Sequence, residues 1–124
     1  VAENDTSIPL AGVEELFERT PATKQIAVLH LADHLHFVDG VEQKHEAMRA
    51  MSYPAELAWI QEMRPIAGLC SGAQAQLFVR GLTLSHLDGA LRKREEARVF
   101  LRGDVEAALA ERGVDARVGR VTPR

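Results

Sequence analysis

The chain predicts an α/β fold of one or two parallel strands followed by a mostly helical half, and three observations carry that expectation. Residues 26–31 form a short apolar, partly β-branched run between polar flanks, the signature of a buried strand. Upstream, residues 1–9 read as a strand end running into an acidic turn, and Val13, Leu16 and Phe17 then recur at helical spacing. Strand end, helix, strand is the order of a parallel βαβ unit. After about residue 40 the apolar residues keep a helical period, and no strand is expected before the tail.

Each element has its own signal. The first helix covers residues 12–19, and Thr20-Pro21-Ala22-Thr23 punctuates it. The strand of residues 26–31 follows, and Gly40 is a hinge. Val41, His45, Met48 and Met51 lie on one helical face, while Leu57, Ile60 and Met63 fit a short helix. Pro54 and Pro65 suit first helical turns, where a missing N–H costs nothing. Residues 73–91 form a longer helix expected to face a core with Leu77, Phe78, Leu84, Leu87 and Leu91. Residues 94–112 continue as helix with Val99, Phe100, Val105 and Leu109 apolar, split at Gly103-Asp104, where Asp104 serves as N-cap. Gly113 marks a C-terminal stop. The basic segment from Arg117 to Arg124 is expected to be a frayed end.

Composition narrows the function classes. The 124 residues suffice for one domain with a modest core, here a single partial domain of strand-and-loop elements (1–39) and a helical part (40–124). A net charge of -3, with bases interleaved among acids as in Arg92-Lys93-Arg94-Glu95-Glu96, argues against a nucleic-acid partner. No apolar run approaches the roughly 20 residues of a membrane span. The single cysteine, Cys70, rules out an internal disulfide and leaves the compartment open.

The chemistry-bearing residues cluster before residue 40. A strand that ends in Asp33-His34-Leu35-His36 can present a general base at a sheet's edge, because an imidazole titrates near neutrality. His34 is the candidate base, with His30 (inside the expected strand) and His36 as competitors. Asp5, in the acidic loop with the spacing D-x-x-x-P, is the candidate acid that orients it, with Glu3 a weaker substitute. The plain structural alternative for Asp5 is an Asx-turn or N-cap. Phe37 is expected to pack the loop down, and Asp39 to accept backbone hydrogen bonds or cap the next helix; Asp33 has no assigned role.

Asp5-Thr6-Ser7-Ile8-Pro9 resembles the acid loop of α/β-hydrolases, and His34-Leu35-His36-Phe37-Val38-Asp39 resembles the H-x-x-F-x-D histidine loop of dienelactone-hydrolase-like and platelet-activating-factor-acetylhydrolase-like esterases. The specific motifs run from Val1 to about Asp39, with a looser match beyond. The resemblance implies the C-terminal portion of an α/β-hydrolase fold. It implies ester or lactone hydrolysis by a Ser/Cys–His–Asp relay in which Asp5 and His34 are supplied here and the nucleophile lies outside the chain. No metal or organic cofactor is called for, and the expected partners are a small ester or lactone and the N-terminal portion of the same enzyme or a partner chain.

Two competing readings remain. Gly68-Leu69-Cys70-Ser71-Gly72 has the form of a nucleophile elbow, but no strand precedes it and it follows the histidine, so a buried, unreactive cysteine is expected. The alternative function is a helical protein-interaction module, with His30, His34, His36, His45 and Glu46, together with Asp33 and Asp39, as candidate metal ligands. No H-E-x-x-H pair supports the metal.

Overall fold

A single antiparallel strand pair, not a parallel sheet, forms the β structure of the computed structural model, which describes residues 1–121. In order, the elements are α1 (Leu10–Arg19), β1 (Lys24–Leu29), a 3-10 turn (His34–Phe37), α2 (Val41–Arg49), 3-10 turns at Ala55–Ile60 and Ile66–Gly68, α3 (Gly72–Ala90), α4 (Glu95–Arg102), α5 (Val105–Ala110) and β2 (Ala116–Val121). β1 and β2 pair from Lys24–Val121 to Leu29–Ala116.

This corrects the expected α/β class, the C-terminal portion of an α/β-hydrolase fold with one or two parallel strands. The described chain is mostly helical, and its sheet is antiparallel. The physical reason is the return path. After β1 the chain passes through four α-helices and three 3-10 turns, then runs back along β1's edge from Gly113, whose φ of +73° suits glycine at that reversal. Among the described residues one isolated parallel bridge, Ala2 to Leu29, is what remains of the anticipated crossover. The segment expected to fray is thus β2 as far as Val121; residues 122–124 lie outside the described residues.

The core sits on one face of the strand pair. Leu29 and Ala2 pack with Ala32, Ala75, Phe78, Val105, Leu109 and Val114, so α3 and α5 cover β1 and the start of β2. Val28 and Ile26 are buried on the other side of the same strand. A second apolar cluster, Leu35, Val41, Ile60 and Met63, joins the His34–Phe37 turn to α2 and the loop that follows. Asp104 caps α5 as expected, accepting from the Ala107 amide at 2.9 Å. α3 starts tightly against α2: the Gly72 amide donates to the Glu42 carboxylate at 2.6 Å, and a Cβ at Gly72 would meet Val41 Cγ1 at 2.8 Å.

The helix faces differ from expectation. Of the five residues expected to line the core from α3, only Phe78 is buried; Leu77, Leu84, Leu87 and Leu91 are exposed. The N-terminal residues cover part of β1's other edge. His30 donates to Asp115, which places the residues of even number toward β2 and leaves Gln25, Ala27 and Leu29 facing the opposite edge. Leu29 there bonds Val1 and Glu3, and the Val1 amine donates to the Ala27 carbonyl.

The two environments make a measurable contrast. Leu29→Ala, at 0% exposure, is expected to cost about 2–5 kcal/mol of unfolding free energy. Leu91→Ala, at 75% exposure, is expected to change it by no more than about 0.5 kcal/mol. Urea unfolding of both variants checks this.

Candidate functional site

The site lies where β1 ends and the chain turns sharply. Leu31 adopts a left-handed φ of +49°, a conformation that a bulky side chain takes only when its surroundings impose it. Glu3 accepts the Leu31 amide at 3.0 Å, and the Leu31 carbonyl accepts from the Cys70 amide at 2.6 Å. Two residues later Asp33 caps the short turn that carries His34: its Oδ1 accepts the Leu35 amide at 3.0 Å. Leu35 anchors the turn in the second apolar cluster.

The two residues singled out by the sequence meet here. His34 Nδ1 lies 3.0 Å from Asp5 Oδ2, although 29 positions separate them. Asp5 also makes the turn proposed as its structural role, because Oδ1 accepts the amides of Ser7 and Ile8, each at 2.8 Å. One carboxylate oxygen therefore holds the loop and the other holds the imidazole. The Asp5 side chain is 7% exposed and that of His34 is 36% exposed, so the acid is shielded and the base reaches solvent. With Nδ1 donating to Asp5, Nε2 is the free lone pair, and no described side chain hydrogen bonds to it.

Trp59 packs edge-on against His34, with ring centroids 5.1 Å apart at 70°. Thr6 ties the two segments together by donating its hydroxyl to the Trp59 carbonyl at 2.9 Å. Neither contact was readable beforehand, since 53 positions lie between Thr6 and Trp59.

Behind this pair is a fully buried network that the sequence left unassigned. Asp33 Oδ1 lies 2.9 Å from His36 Nδ1, and Asp33 Oδ2 lies 2.5 Å from His45 Nε2. All three residues have 0% exposure. His36 Nε2 donates to the Cys70 carbonyl at 2.9 Å. Burial disfavours a charged His36, but hydrogen bonds to Asp33 and Cys70 outweigh it and push the pKa up to about 10. The Asp33 amide also lies 3.1 Å from His36 Nδ1, so the amide and the carboxylate of Asp33 both meet that ring nitrogen and close a reciprocal cap on the turn. Burial raises the Asp33 pKa, and the hydrogen bonds from His36 and His45 more than offset that, leaving it below the usual 3.8. His45 uses Nε2–H on Asp33, so its buried Nδ1 has no hydrogen-bond partner; Glu46 Oε1 stands 3.5 Å away.

The remaining candidates fall outside this arrangement. His30 lies just beyond β1, half-buried, 3.4 Å from Asp115, rather than packed in a strand. Phe37 is 37% exposed, and Asp39 uses its carbonyl, not its carboxylate, on Lys44. Cys70 is a half-buried free thiol just ahead of the Ser71 cap of α3, with a 3-10 turn rather than a strand before it. Among the described residues no group of three His, Cys, Asp or Glu side chains is placed to hold a metal ion. The histidines proposed as ligands are instead committed to Asp5, Asp33 and Asp115. No helix among the described residues is long and apolar enough to cross a membrane.

In comparisons with protein-family models, curated proteins and solved structures, none matches this chain.

The buried ion pair sets a pH dependence with a defined sign. His36, raised from 6.5 to about 10, contributes stability that is fully present below pH 6.5 and is lost as pH rises through 10. Asp33, lowered from 3.8, contributes stability present above pH 3.8 and lost as pH falls through its lowered value. Urea midpoints measured against pH are expected to be highest between these limits, and Asp33→Asn is expected to flatten both limbs.

Proposed function

We propose that this chain supplies the acid and the base of an acyl-transfer relay that hydrolyses a carboxylic ester or lactone, with a Ser or Cys nucleophile contributed from outside it. The observation that carries this reading is the Asp5–His34 pair: a shielded carboxylate on Nδ1 of a solvent-facing imidazole whose Nε2 has no described protein partner. In such a relay Nε2 takes the proton of the nucleophile as it attacks the carbonyl carbon. The imidazolium then returns that proton to the leaving alcohol, and a water repeats the cycle on the acyl intermediate. Asp5 fixes the tautomer and stabilises the imidazolium. Every step uses protonated or deprotonated side chains, so the reading calls for no cofactor.

The external nucleophile has support of its own. Cys70 is placed beside the buried His36, with its carbonyl rather than its thiol on the ring nitrogen, and not beside His34. Leu16, Leu77, Leu84 and Leu87 stay exposed, and the Gln25 end of β1's outer edge, beyond the Val1–Ala27 bond, is open beside an apolar cleft of about 480 Å³ lined by Phe17, Ile26, Phe78 and Leu82. Unpaired strand edges and exposed apolar patches of this kind favour contact with another polypeptide. The N-terminal portion of the same enzyme or a partner chain suits that surface.

Native material is the test. Its p-nitrophenyl acetate hydrolysis should require a second polypeptide by intact mass and vanish in His34→Ala. Asp5→Asn should lower kcat on the order of 10³–10⁴-fold with little change in KM. A lone 13.7 kDa chain whose activity ignores both substitutions would refute the reading.

A further inference from the structure

We propose that Asp33 is the positioning residue of this site: its buried carboxylate, held between His36 and His45, sets the turn that presents the His34 imidazole to Asp5. The purpose of that positioning rests on the acyl-hydrolase reading; the geometry does not.

His34 has few restraints of its own. Its side chain touches Asp5 and Trp59, both from distant segments, and its ring is partly solvated. Its backbone is fixed from either side. Asp33 precedes it and accepts the Leu35 amide across it, so the cap spans the His34 peptide units. The second carboxylate oxygen reaches His45 on α2, and the first also meets His36, two residues beyond His34. Asp33 thus clamps the turn to itself and to a separate helix, with every member at 0% exposure.

A purely structural network would need no such placement. This one brackets the single histidine that meets Asp5, and it is costly, because buried charges are tolerated only when fully paired. A reacting imidazole misplaced by about 1 Å loses on the order of 100-fold in rate, so a rigid clamp at this position has a functional use. The ionisable groups that face His36 are Asp33 on its own turn, His45 and Glu42 from α2, and Cys70 before α3. None of them is Asp5, so the clamp and the acid–base pair can be perturbed separately.

Trp59 is the only tryptophan and provides the readout. A protonated imidazole quenches an indole in contact with it, so the wild-type chain should show a pH-dependent emission change that His34→Gln removes. Asp33→Asn, folded by circular dichroism, should lose that component to the His34→Gln level. Should Asp33→Asn not fold, His45→Asn keeps the cap and removes one partner, and it should lower the amplitude. Full wild-type amplitude in a folded Asp33→Asn or His45→Asn variant overturns the proposal, as does the absence of any His34-dependent component in the wild type. Failure of ester hydrolysis with the Trp59 signal behaving as expected sinks the acyl-hydrolase reading alone. Full amplitude in Asp33→Asn, with hydrolysis intact, sinks the positioning role alone.

Discussion

A carboxylate with no solvent exposure, held between two imidazoles, is the constraint on which the functional end of this molecule depends. Asp33 cannot be buried as an anion unless its oxygens are satisfied, and His36, His45 and the Leu35 amide satisfy them. Those partners come from the turn itself and from α2. Satisfying one charge therefore fixes the exit of β1, the path of the next four residues and the docking of a helix. His34 inherits its position from that arrangement. The left-handed Leu31, stitched to Glu3 and Cys70, completes the exit from the strand.

The rest of the fold organises around β1 for a different reason. Its two faces bury Leu29 on one side and Val28 on the other, so a six-residue strand is sandwiched although the sheet has only two members. β2 closes one edge and places Ala116 and Val118 against the main core. The opposite edge carries Val1–Glu3 and, in the same loop, Asp5. The strand thus connects the core to both halves of the acid–base pair: one half follows it in the chain, and the other lies along its edge.

What the sequence revealed depended on how local each signal was. The helix start at Asp104 and the stop at Gly113 rest on contacts within a few residues, and the structure has them where the pattern placed them; the Ser71 cap of α3 was not singled out. Asp5 and His34 were legible through short motifs, and the structure brings them within 3.0 Å. β2 was not legible: two arginines and a glycine in six residues carry little strand preference, and its pairing with β1 depends on segments about ninety positions apart. The parallel class failed on the same point. The burial of α3 was misjudged because leucines lie around much of that helix, so the period gives a helix but no facing direction. The pairing of Asp33 with His45 was not legible, because twelve positions separate them; His45 read only as a helix-face residue and candidate metal ligand, and Asp33 had no assigned role.

His34 is held by Asp5 through Nδ1, which leaves Nε2 free to accept a proton. Nitrogen-15 NMR of histidine-labelled protein reads this directly, because the ring nitrogens of each tautomer resonate apart. In the neutral form of His34 this arrangement predicts the proton on Nδ1, and loss of that preference in Asp5→Asn. A neutral His34 with its proton on Nε2, or one unchanged by Asp5→Asn, would contradict it.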